Sequence, residues 1–488
     1  MIEELLEEIL TKDYQKPIAK SWYLQPLKDV ENVCYRQEIF EDLVNNQKLL
    51  ESLRDFTEKM EDVRRILRMT KELGYEVNKK GWFLEAGFLY CSTIEKLSIF
   101  LRHVEINSSG LVNFRNYLNR YVSSVRYTAL KSDCELVRNI IRDVKYVLIL
   151  QPGQVTVKEY ENEEEYANAI EKTFQKFKEE ECIEKYRFNL QKATGMNHIE
   201  ARIVEFLKTI QPKVFQLLDE FFEKHETFLD ETLDSISREL TFYTSYLDFI
   251  NRLGASGLPF TIPKVSEKDK EELIINTFDP ILAAKSGGHV VQNDVILKPG
   301  ERIMVITGPN QGGKTTYARL HGLLHYLAGL GLPVPGSEAK LFLPDGIYTH
   351  FERQEKVESQ KSKLEDDLIR LKTILGKATQ NSLLVFNEIF SSTASYDATL
   401  LGKELIAKLS NLDCLVAWIT FIDELSNSEN GKVVSLVALV SPEDPSIRTF
   451  KIERRKAEGK AHAFSIARKY GLTYEEIKRR LSNESPVA

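Results

Sequence analysis

The chain is short of cysteine, of long apolar runs and of excess charge of either sign, and each shortage removes a class of function. Its five cysteines (Cys34, Cys91, Cys134, Cys182, Cys414) lie far apart with no C-x-x-C pair. They read as reduced thiols of a cytosolic protein, so neither a disulfide frame nor a cysteine zinc site is expected. No apolar run reaches the roughly 18 residues of a membrane span, and no membrane partner is expected. The opening MIEELLEEIL is acidic and amphipathic, the wrong character for a signal peptide, so the expected location is cytoplasmic. Lysine and arginine number 66 against 73 acids, a net charge of −7. That balance argues against coating nucleic acid by bulk electrostatics, though a locally basic groove would still serve. With 488 residues, 42% hydrophobic and 28% charged, the chain can bury a sizeable core and is no disordered polymer.

The first half reads as helix. Leu49, Leu53, Phe56, Met60, Val63 and Leu67 step by four and three and share one helix face, as core residues do. The texture changes near 150: Gln151-Pro152-Gly153 reads as a turn and Val155-Thr156-Val157 as a short strand. The acidic run Glu161 to Glu165 reads as a solvated helix start. Leu229, Leu233, Ile236, Leu240, Tyr243, Leu247 and Ile250 then keep a three-four spacing. This seam either pairs with the earlier stripe as two antiparallel long helices or forms one face of a globular bundle. Leu253 to Pro259, with Gly254 and Gly257, reads as a linker. Beyond it, short apolar strands at 303–306, 382–386 and 415–419 alternate with helices, as in a doubly wound α/β sheet, and 433–440 reads as an added edge strand.

One stretch organises the chain. The apolar run Ile303 to Ile306 leads into Gly308-Pro309-Asn310-Gln311-Gly312-Gly313-Lys314-Thr315-Thr316, and a helix is expected from about Thr315 to Leu330. This is G-x-x-x-x-G-K-[ST] with a strand before it and a helix after it. Glycines let backbone N–H groups face one concavity that cradles phosphates. Lys314 would reach the β- and γ-phosphates, and the Thr315 hydroxyl would bind Mg²⁺. The helix N-terminus adds positive potential. ATP and Mg²⁺ are therefore the expected cofactors.

Downstream, Ser382-Leu383-Leu384-Val385-Phe386-Asn387-Glu388 is an apolar strand ending in two polar residues, expected beside the loop. Glu388 suits the carboxylate that polarises an attacking water. Asn387 stands where an aspartate would contact Mg²⁺ through water. It keeps an acceptor oxygen but not the charge, so weaker Mg²⁺ binding is expected. Ser362, with Glu365 three residues on, reads as a helix N-cap.

In this order and spacing, GPNQGGKTT, SLLVFNEIFSSTASYDA and WITFIDELS resemble the ATPase domain of the MutS family of ABC-type ATPases. Asp279-Pro280-Ile281-Leu282 and Asn293-Asp294 resemble nucleotide-side segments of that family, and Trp22 to Phe40 resembles the start of its lever domain. The resemblance implies a multidomain fold: an all-α lever and clamp domain over 1–255, with its tip within about 145–200, then an α/β ABC-type P-loop ATPase domain over 256–488. It implies that Glu388 is the catalytic base and that Ser362 reaches across a homodimer to the partner's nucleotide. It also implies that helices within Ala461 to Leu481 serve dimerisation. The expected function is an ATP-dependent clamp on duplex, mismatched or branched DNA, in repair or recombination.

Departures temper this. Asn387 replaces the family's aspartate, and Phe421 stands where its repair proteins usually carry a histidine. The chain begins almost at the lever domain, leaving no room for the mismatch-reading domain. Phe56-Thr57-Glu58 and Phe83-Leu84-Glu85 fall within helical patterns and read as core. Lys172, Lys176, Lys178, Lys185, Arg187 and Lys192, among at least as many acids, would be the clamp's phosphate contacts or a solvated helix surface. The second class of function is an ATP-gated interaction or scaffold protein with weak hydrolysis and no nucleic-acid role.

Overall fold

The computed structural model describes residues 1–152, 154–161, 196, 198–351, 363–427, 431–444, 447–457, 467 and 470–483. The chain forms two compact units: Met1–Gln47, Ile106–Leu111 and Thr241–Ala488 make the first, and Lys48–Glu105 with Val112–Leu240 the second.

Helices α1 (Ile2–Ile9), α2 (Gln15–Tyr23) and α3 (Val30–Asn45) open the chain, followed by α4 (Gln47–Glu72), α5 (Glu76–His103), α6 (Ser109–Val122) and α7 (Val125–Arg142). The α4 stripe is core, with Leu49, Leu53, Phe56, Met60 and Val63 all buried. Phe83 is buried too, and its ring meets those of Phe221, Phe222 and Phe228. Both Phe-x-Glu triplets thus supply packing residues. Strands β1 (Tyr146–Gln151) and β2 (Gln154–Glu159) pair antiparallel, Tyr146 opposite Glu159 and Gln151 opposite Gln154. The helical part is therefore not all-α: branched residues in both strands favour a hairpin over continued helix. Helices α8 (His198–Ile210), α9 (Pro212–Lys224) and α10 (Glu231–Gly254) follow.

In the first unit, β3 (Phe260–Thr261), β4 (Lys264–Ser266), β5 (Glu272–Thr277), α11 (Pro280–Lys285) and β6 (Asn293–Leu297) precede β7 (Ile303–Thr307) and α12 (Lys314–Gly329). Then come β8 (Val334–Pro335), β9 (Glu338–Phe342), β10 (Ile347–His350), α13 (Lys363–Leu375), β11 (Leu383–Asn387), α14 (Ser395–Leu412) and β12 (Leu415–Ile419). The chain ends with β13 (Val433–Val440), β14 (Arg448–Arg454) and α15 (Tyr474–Asn483).

The main sheet has the order β10-β11-β12-β7-β13-β14, parallel except for β14. Every residue of β7 and β12 is buried, as a parallel sheet covered on both faces requires. On one face Val305, Phe386 and Trp418 pack with Leu405 and Leu409 of α14. On the other, a Cβ on Gly322 of α12 would meet Val385 at 3.4 Å. One sequence expectation is corrected here: Val433–Val440 is not an edge, because β14 pairs outside it. Strand β12 lies between β7 and β11. A second sheet, β4-β9-β5-β6, had no counterpart in the sequence reading. Its strands are short and interrupted, and hydrophobic alternation marks them weakly.

In the second unit, the Arg64 guanidinium donates to Glu61 Oε2 (2.8 Å), Asp234 Oδ1 (2.7 Å) and Ser237 Oγ (2.8 Å), and Arg64 is 5% exposed. Removing one partner of a buried charge pair costs roughly 3–5 kcal/mol. Arg64→Ala is therefore expected to lower the urea midpoint of this unit by a corresponding amount. A loss under ~1 kcal/mol would place the network among weak surface pairs.

Candidate functional site

The buried strand β7 delivers the chain to Gly308, whose φ is 116°. A Cβ there would stand 2.8 Å from the Ala438 carbonyl oxygen and 3.0 Å from the Ala438 nitrogen, so only glycine fits against β13. Gly313, at φ 91°, is the N-cap of α12. Between them the Gly312 N–H donates to Pro309 O at 3.3 Å. Lys314 is buried, and its Nζ donates to Gly308 O (2.8 Å) and Pro309 O (2.9 Å). Burial lowers the Lys314 pKa; Glu388 pulls it back up and Arg448 lowers it further. The same Nζ lies 4.5 Å from the centroid of the Phe421 ring. The Phe421 ring thus offers a π face to the phosphate-loop cation.

The end of β11 arrives at the same place, although one strand removed from β7. Thr315 Oγ1 approaches Asn387 Oδ1 at 3.4 Å. Glu388 holds a left-handed φ of 52°, and its N–H donates to Ile419 O at 2.9 Å. That turn carries the Glu388 side chain off the sheet and into a cavity of about 480 Å³. Asn310, Gln311, Gly312, Gly313, Lys314, Thr315 and Thr316 line the same cavity. Pro309 and Asn387 stand at its margin through the contacts above.

The other wall comes from segments distant in sequence. Asp279 caps α11, its Oδ1 accepting from the Ile281 (2.9 Å) and Leu282 (3.2 Å) N–H groups, and Leu282 faces the cavity. Asn293 Nδ2 donates to Phe450 O at 3.1 Å, and the Ile452 N–H donates to Asn293 Oδ1 at 2.8 Å, tying β6 to β14. Phe450, at φ 59°, sets its ring against Gly313. Arg448 Nε donates to Asn310 O at 3.0 Å. Of the six non-glycine residues with positive φ among the described residues, Gln311, Glu388 and Phe450 line this one cavity, which is where backbone strain tends to collect. Sequence reasoning missed Arg448 and Phe450. Neither lies in a motif; only the antiparallel return of β14 beside β13 brings them to the loop.

Ser362 and the basic residues Lys172, Lys176, Lys178, Lys185, Arg187 and Lys192 lie outside the described residues. So does the first of the two expected C-terminal helices. The second is present as α15, with Thr473 Oγ1 donating to Glu476 Oε2 at 2.6 Å as a capping pair.

The family model for MutS domain V matches residues 304–482, from the phosphate-loop strand through α15. The DNA mismatch repair protein MutS of Thermosipho melanesiensis is 26% identical over 443 residues, covering 84% of this chain and 52% of that protein. The MutS of Thermotoga neapolitana is 25% identical over 497 residues, 94% of this chain and 59% of that protein. The MutS of Clostridium perfringens is 25% identical over 504 residues, 95% of this chain and 54% of that protein. The chain carries a match to MutS domain V and is similar to MutS proteins along most of its length. It spans between about half and three-fifths of the length of these relatives. MutS proteins are ATPases, and the phosphate loop with Asn387 and Glu388 falls wholly within the matched domain. Among the described residues no helix is long and apolar enough to cross a membrane.

Because the loop is held by contact at Gly308, Gly308→Ala is expected to displace it from β13. Titration with a fluorescent ATP analogue should show affinity at least ~10-fold weaker, the equivalent of ~1.4 kcal/mol. Unchanged affinity would mean that the loop does not need this contact.

Proposed function

We propose that this protein is a MutS-like, ATP-dependent DNA-binding protein that works as a dimeric clamp on duplex or structured DNA, in repair or recombination. The observation that carries the reading is the convergence of Lys314, Thr315 and Glu388 at one cavity whose floor is a glycine-built phosphate loop. The cavity has room for a nucleotide. Phe450, 48% exposed, offers a ring face to its base.

In this reading Lys314 exchanges the carbonyls of Gly308 and Pro309 for phosphate oxygens. The loop N–H groups and the start of α12 hold the remaining phosphate charge. Thr315, and Asn387 through water, would hold Mg²⁺, which when bound would supply charge neutralisation at the phosphates. The donor set fits a hard cation: a hydroxyl and an amide oxygen lie side by side, with a carboxylate in the same cavity. Glu388 accepts the proton of the attacking water. Ser362, just before α13, would complete the partner subunit's site and so couple ATP binding to dimer closure. Residues 1–255 would act as lever and clamp and 256–488 as the ATPase. The contact units divide the chain differently, grouping Met1–Gln47 with Thr241–Ala488. Contact density and movement need not share a boundary. The basic residues of 172–192 would grip phosphates without reading sequence. The names of the relatives, DNA mismatch repair proteins, favour DNA over a scaffold role.

The test is steady-state ATP turnover by the full chain. Glu388→Gln should lower kcat by ~10²-fold or more while leaving ATP bound, as loss of a general base does. Asn387→Asp should lower the Mg²⁺ concentration needed for half-maximal turnover several-fold, because it restores a charge beside Thr315. Equal turnover in wild type and Glu388→Gln would remove Glu388 from the chemistry. Absence of turnover with retained ATP binding would favour an ATP-gated scaffold.

A further inference from the structure

The helix that carries the phosphate loop also carries a buried ligand set that the ATPase chemistry does not use. His321 and His325 stand four residues apart on one face of α12, and Glu272 of β5 faces them. All three are essentially inaccessible to solvent. His321 Nε2 lies 2.7 Å from Glu272 Oε2, His325 Nε2 lies 2.9 Å from Glu272 Oε1, and the two Nε2 atoms are 3.2 Å apart. Four donor atoms thus converge: two imidazole nitrogens and both oxygens of one carboxylate.

Proton placement separates two accounts of this cluster. His325 Nδ1 lies 2.8 Å from the Phe342 carbonyl oxygen, which only accepts, so Nδ1 carries the hydrogen. In the neutral ring Nε2 is then a bare lone pair aimed at the cluster centre, the tautomer that a backbone carbonyl imposes on a metal-binding histidine. Glu272 Oε1 approaches that nitrogen at 2.9 Å, and with the ring neutral no hydrogen lies between them. Without a cation, bare nitrogen and bare oxygen face one another in a medium where unpaired polar atoms are costly. Separations of 2.7–3.2 Å are tighter than the ~3.3–3.6 Å between donors around one tetrahedral ion at ~2.0–2.2 Å, so the side chains open by roughly half an ångström to admit it.

We propose that Glu272, His321 and His325 form a closed structural site for a divalent first-row transition ion of the zinc class, bracing the phosphate-loop helix against β5. Two imidazoles and a carboxylate suit such an ion better than Mg²⁺ or Ca²⁺. The burial of every ligand leaves no open position for substrate, which marks the site as structural and has the ion enter as the chain folds. The site is separate from the Mg²⁺ position at Thr315 and does not depend on the ATPase reading.

The test uses the full chain without a histidine tag, expressed with added zinc sulfate, purified without chelator and assayed for metal by mass spectrometry. About one equivalent of zinc per chain is expected, falling to background in His321→Gln and in Glu272→Gln. Circular dichroism would report whether those variants fold. Should they not, wild-type protein produced with cobalt decides: the intense visible absorption of a tetrahedral Co²⁺ site is expected, with no thiolate charge-transfer band. Wild-type protein without stoichiometric metal, and without that spectrum, would leave a shared proton as the only occupant and overturn the proposal. So would equal metal in wild type and folded variants.

Discussion

A Cβ at Gly308 would run into the backbone of Ala438, and much of the site follows from that contact. It fixes where the chain leaves β7, and so where the loop closes and α12 begins. It also ties the loop to β13, whose partner β14 supplies Arg448 and Phe450 to the same cavity. A parallel sheet buried on both faces gives this junction a rigid base, because β7 and β12 have no exposed residue to yield. The positive-φ positions at Gln311, Glu388 and Phe450 are held by that surrounding rigidity.

The electrostatics are arranged around one cation. Lys314 is buried, which disfavours its charge, and Glu388 counters that penalty while Arg448 adds to it. Two loop carbonyls and the Phe421 ring share its coordination. Phosphate would relieve the same deficit more strongly, so ligand binding and loop geometry are linked. Asn387 leaves the Thr315 side less negative than an aspartate would, and Phe421 cannot donate a hydrogen bond to phosphate as a histidine does. In the proposed function both would weaken stabilisation of the γ-phosphate.

The phosphate loop was fully legible in the sequence because its chemistry is local: glycines, lysine and threonine at fixed spacing between strand and helix. Glu388 was legible for the same reason, at the end of an apolar run. The three strands that read as continuous apolar runs, 303–306, 382–386 and 415–419, were found nearly to the residue. Their order was not, because β12 inserts between β7 and β11 through pairing that no single segment encodes. The same limit hid Arg448 and Phe450, which a strand-return places beside the loop. It also hid the cluster of Glu272, His321 and His325, since only packing brings β5 to α12. The i, i+4 histidine pair was visible in the sequence, but without its carboxylate it said nothing.

The central claim is that nucleotide state governs a grip on DNA. Its most direct measurement is fluorescence anisotropy of labelled duplex and forked DNA titrated with the full chain, with ADP or a non-hydrolysable ATP analogue, at two salt concentrations. The account predicts an affinity that differs between the two nucleotides and falls with salt as phosphate contacts require. Absence of binding to either DNA, or binding indifferent to nucleotide, would contradict it.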